Sequence, residues 1–188
     1  MIPIGYMAKK IVDRPSWMKC EKVQQIWSVS GCVSPNFTNY INYWKHNGYW
    51  LFDNPKTILE IMKLEGLNFN EFQLFFYEVF EKQYCYFEKA WETFEPEATF
   101  ETNVIIPRQK ILVGFDIVTY YCGNAAEHSP LSCNSLADEV EVNSRCLMAS
   151  LDAVTSIVTS ELYEGCEEGP ARLIAVYSCP NWNIDSLA

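Results

Sequence analysis

The chain has 188 residues and a net charge of −10, with 49% apolar, 20% charged and 15% aromatic residues. That is enough length and enough large rings to bury a sizeable core, which excludes a disordered segment. The acidic balance argues against nonspecific binding to nucleic acid, whose phosphates need Lys and Arg opposite them, and against anionic membrane surfaces.

In chain order, Ile2–Met7 can form a short first strand. Glu21–Trp27 has helical spacing through Val23, Ile26 and Trp27. Ser34-Pro35 is a helix start, with Phe37, Tyr40, Ile41 and Trp44 as the apolar face and Asn47-Gly48 as the stop. Asn54-Pro55 starts a second helix, with Ile58, Ile61, Met62 and Leu64 as its apolar set, ending at Gly66. Gln73–Glu81, rich in aromatic and branched residues, reads as a strand, with a helix over 70–91 as the alternative. Thr102–Ile106 and Ile111–Cys122 read as strands joined by a turn at Pro107–Lys110. Ser150 caps a helix to Leu162 with a stripe of Leu151, Val154, Ile157, Val158 and Leu162, and Ala171–Ser178 is a final strand. This order predicts an α+β fold in a single domain over residues 1–188. N-terminal helices would precede a mainly antiparallel sheet with one further helix.

Charge is unevenly spread. Residues 1–63 carry eight Lys/Arg and four Asp/Glu, while residues 64–188 carry six and twenty. This suits internal complementarity, and also an acidic face for a basic protein partner. The start lacks the pattern of a secretory signal, and no apolar run approaches the ~20 residues of a membrane helix. The expectation is a cytoplasmic protein with no membrane or nucleic-acid partner. In that compartment the eight cysteines need form no disulfides, and no C-x-x-C pair occurs.

Three segments could carry function. In HSPLSCNSLADE, residues 128–139, Ser135 and Asp138 fit a capping box. A cysteine just before a helix start gains thiolate character, so Cys133 is the candidate nucleophile with His128 as its base and Asn134 as a polar neighbour. The set Cys122, His128, Cys133 and Cys146 has residue types that suit zinc, but its spacing matches no standard pattern. The sequence therefore assigns no metal and no cofactor. In NYINYWKHNGYWLFDNP, residues 39–55, one helical face cannot bury every ring. Trp44 is expected in the core and Trp50 partly accessible; Trp50, Tyr43 and Tyr49 are the binding candidates. Glu164, Glu167 and Glu168 are the acidic candidates within a wider carboxylate set. There is no P-loop, dinucleotide-binding glycine turn, H-E-x-x-H or G-x-S-x-G motif.

MIPIGYM at the start, YWKHNGYWLFDNP at 43–55 and SPLSCN at 129–134 resemble an uncharacterised family of bacterial hypothetical proteins. The similarity runs on through GFDIVTYY to EGPARLIAVYS. It implies a bacterial, cytosolic, single-domain protein and brings no activity or ligand with it. The leading expectation is a binding or inhibitor protein, immunity-type or regulatory, that acts on a basic partner. The alternative is a small thiol-dependent enzyme or ligand-binding protein using the 122–134 loop.

Overall fold

The computed structural model describes residues 1–43, 47–96, 98, 101–120, 128–164, 166 and 169–180. β1 (Ile2–Lys10) opens the chain, followed by the two-residue strands β2 (Val12–Asp13) and β3 (Gln25–Ile26), which pair with each other. Then come α1 (Pro55–Leu64), the long β4 (Phe72–Cys85), β5 (Ala90–Thr93) and β6 (Ile111–Thr119). A single-turn α2 (Pro130–Cys133), then α3 (Leu151–Val158) and β7 (Ala171–Ser178), complete the elements. The main sheet is antiparallel in the order β1-β4-β7-β6, with β5 also on β4.

The fold is α+β with a mainly antiparallel sheet, as expected, but it does not begin with helices. Its first strand starts at residue 2 and is buried without a break from Ile4 to Lys9. The strand expected over Ile2–Met7 forms and runs on to Lys10; covered on both faces, it shows no alternation to mark its end.

Where expected elements fail, the backbone has other partners. Among the described residues of 34–48, the expected helix is replaced by one 3-10 turn at Tyr40–Asn42, preceded by Asn39 in the left-handed region. Its backbone is spent on covering the edge of β1: Lys10 N–H donates to Pro35 O at 2.9 Å and Phe37 N–H to Ala8 O at 3.1 Å. Glu21–Trp27 is not helical either, because Gln24 and Gln25 donate to Ser144 O and Trp27 to Arg145 O. Thr102–Ile106 is no strand; Asn103 and Ile105 are tied by their N–H groups to Asp53. The helix from Ser150 ends at Val158, where the Thr159 and Ser160 hydroxyls donate to the Thr155 and Ile157 carbonyls and compete with its continuation. Trp44 lies outside the described residues.

Two helices form as their caps predict. Asn54 accepts from Lys56 N–H with Pro55 at the first position of α1, and Ser150 accepts from Ala153 N–H at α3. The buried side of α1 (Ile58, Ile61, Met62) joins a core with Ile4, Tyr6, Phe75 and Phe76. Val154 and Val158 of α3 join a second core with Ile117, Leu173 and Ala175.

Both outer edges of the sheet are closed by short bridges rather than left open. Tyr6 pairs with Phe52 and Lys9 with Asn36 along β1, while Phe115 pairs with Met148 and Thr119 with His128 along β6. The bridge at Tyr6 follows a register shift between Pro3 and Gly5, where Gly5 adopts φ +123°. A Cβ there would stand 2.7 Å from Phe52 O. Gly5→Ala therefore meets backbone on a positive-φ residue, and should cost about 2 kcal/mol or more. That is a fall of roughly 4 °C or more in melting temperature by calorimetry.

Candidate functional site

The site is built around two charges on the sheet. Lys9 on β1 and Asp116 on β6 sit on opposite outer strands, yet both are fully buried. The register puts them on one face. Lys9 lies across from Gln73 and Asp116 across from Ile174, and on β4 Gln73, Phe75, Tyr77 and Val79 share a side, with Val79 opposite Ile174. The segment after β3 spans the gap. Lys9 Nζ donates to Val29 O at 2.8 Å and Ser30 O at 2.9 Å. Asp116 Oδ2 accepts from Ser28 Oγ at 2.7 Å and Val29 N–H at 2.9 Å.

The other carboxylate oxygen serves a different segment. Asp116 Oδ1 accepts from Ser129 Oγ at 2.6 Å and from Ile117 N–H at 2.9 Å. Ser129 precedes α2, whose last residue is Cys133; Cys133 N–H donates back to Ser129 O at 2.7 Å. His128 is held from the strand side, its carbonyl accepting from Thr119 N–H at 2.9 Å. Ser30 Oγ accepts from Cys32 N–H at 3.1 Å and lies 3.9 Å from Cys133 Sγ. The outcome is that Cys32, His128 and Cys133 converge, their sulfur and ring-nitrogen atoms all within 4.8 Å of one another.

Burial shifts the ionisations here. It pulls the Lys9 ammonium down to about 7, against the opposing pull of Asp116 and Cys133. Burial also raises Asp116 above the usual carboxylate range, although its four donors act the other way. The Cys133 thiol is pushed up to about 11, again chiefly by burial, with Cys32 beside it. The expected drop from a following helix start does not occur. Ser135 is left-handed, makes no side-chain cap, and leads only a 3-10 turn at Leu136–Asp138. Asp138 instead accepts from the Lys19 and Cys20 N–H groups, at 2.9 and 2.7 Å.

The structure thus brings Cys133 and His128 together and adds Cys32, which the sequence reading counted only among the eight cysteines. Lys9, Asp116, Ser28 and Ser129 were missed as well. The only signals were a lysine in an apolar strand, an aspartate inside GFDIV and the serine-rich run SVSGCVS. Cys146 is not in the group; its buried thiol donates to Leu131 O at 3.5 Å. Cys122 lies outside the described residues.

The other candidates fall elsewhere. Tyr43 is exposed, and its phenol donates to Glu65. Tyr49 is half-buried, with its ring edge-on to Phe94 and its N–H on Asn47 Oδ1. Trp50 is half-buried with φ 59°. Glu164 accepts from the Tyr86 phenol, and Glu167 and Glu168 lie outside the described residues. Compared with known families, curated proteins and solved structures, the chain matches none, in keeping with its resemblance to an uncharacterised family.

Two predictions test the network. Asp116→Ala strands Lys9 and the donors of Ser28, Val29 and Ser129, and should cost about 3–5 kcal/mol in a denaturant titration. The second concerns pH. The folded-state pKa of Lys9, about 7, lies below its ordinary value of 10.5, so between these the folded chain binds fewer protons than the unfolded one. The contribution of Lys9 to stability therefore rises with pH across that window and is lowest below it. Relative to Lys9→Met, wild type should gain stability from pH 7 to pH 9, by at most about 1.4 kcal/mol per pH unit. Groups that do not interact with Lys9 cancel in the difference.

Proposed function

We propose that this chain is a small thiol-dependent enzyme or ligand-binding protein whose working groups are Cys133, Cys32 and His128. The observation that carries the reading is their convergence from two segments about a hundred residues apart in the chain, both anchored on one buried carboxylate. Buried polar networks are costly unless every member is satisfied, and this one ends at a set of chemically competent groups. Cys32 is exposed, so the group is open to reagents and ligands from solution. Free thiols suit a reducing compartment such as the cytoplasm.

The reading is favoured over electrostatic capture of a basic partner because many carboxylates are already engaged within the chain. Glu71, Glu78 and Glu141 pair with Lys10, Lys110 and Lys22, and Glu65, Glu92 and Glu164 accept from neutral side chains. No helix among the described residues is long and apolar enough to cross a membrane.

The test is disulfide capture. An aromatic disulfide reagent should be attacked by the Cys32 thiolate, releasing one aromatic thiolate. The Cys133 thiolate should then displace the second, closing a Cys32–Cys133 disulfide with loss of two hydrogens from the protein. Mass spectrometry of the native wild type should find that bridge, and Cys133→Ser should retain a stable adduct at Cys32. A stable Cys32 adduct in wild type would sink the reading.

A further inference from the structure

We propose that this centre holds a zinc ion, with Cys32 Sγ, Cys133 Sγ and one ring nitrogen of His128 as protein ligands. The proposal rests on the reading above and names what the group binds. Two sulfurs and an imidazole nitrogen form a donor set of the borderline-soft kind that zinc prefers. A tetrahedral ion with bonds of about 2.3 Å to sulfur and 2.0 Å to nitrogen places neighbouring donors roughly 3.5–3.8 Å apart. The three donors already lie within 4.8 Å of one another, so an ion needs only a contraction on the order of 1 Å from side-chain rotation.

The supporting shell fits the same role. Asp116 fixes Ser28 and Val29 on the Cys32 side and Ser129 on the His128 and Cys133 side. It touches none of the three ligands itself and acts by fixing the backbone segments that carry them. Two thiolates would also neutralise a divalent ion, so loading would add no net charge at the three ligands. Three protein ligands among the described residues is the number found in catalytic zinc sites, where the fourth position takes water or a substrate atom. A small molecule with a lone-pair oxygen, nitrogen or sulfur is the ligand class that position would accept.

Binding would replace the two thiol protons with the metal, so it should release protons and tighten with pH. The experiment uses the full chain, reduced and freed of metal by a chelator. Cobalt(II) added alone should bind one equivalent and give a thiolate-to-cobalt charge-transfer band, which zinc then abolishes. Zinc affinity, measured against a coloured chelator, should fall in Cys32→Ser, Cys133→Ser and His128→Asn. Each loss should exceed the roughly 10–100-fold that outer-shell changes cost. Cys20→Ser should bind as wild type does. Should the variants unfold, wild type still decides: zinc should protect Cys32 and Cys133 from alkylation while Cys20 and Cys85 react as before. No charge-transfer band, or protection that falls on other cysteines, overturns the proposal. If metal binding fails while the Cys32–Cys133 disulfide still forms on capture, the zinc site falls and the thiol centre stands. If both fail, both fall.

Discussion

The buried carboxylate of Asp116 is the constraint on which the site depends. A charge in that position costs several kcal/mol unless its surroundings answer it, and here four donors and a nearby ammonium do so. Its two oxygens divide the work. One holds the segment after β3 and the other holds the segment after β6. Without that division, nothing in the sheet register alone would bring Cys32 to Cys133.

The same economy governs the edges of the sheet. The strands β1 and β6 have unpaired sides, and short bridges to otherwise irregular segments cover them. At β6 the covering residue is His128, so closing the edge also places an imidazole. At β1 the covering segment is 35–37, reached soon after Cys32. Edge protection and site construction are thus one arrangement, and irregular backbone is retained where it meets these strands.

What could be read from the sequence follows from where the signals are local. Caps and periodicity identify α1 and the start of α3, because Asn54-Pro55 and Ser150 act on neighbours a few residues away. Ala171–Ser178 is delimited as it was read, and β4 is longer than its expected span. Residues 21–27 and 34–43 form no long helix, because their apolar residues mimic helical spacing while their backbone partners lie far off, at Ala8, Ser144 and Arg145. The site was half legible. His128 and Cys133 share one short stretch, whereas Cys32, Lys9 and Asp116 join them only through the tertiary fold. Lys9, next to the exposed Lys10 at the end of an apolar strand, gives no hint of the carboxylate it will face.

The strand order has a consequence for how the chain is made. β7 lies between β4 and β6 although it follows both in sequence. Neither of those strands pairs with the other, so each has a vacant side until residues 171–178 have left the ribosome. At about 5–20 residues per second, β4 waits on the order of 5–20 s for its neighbour. During that interval two apolar strands expose pairing groups to any other nascent chain.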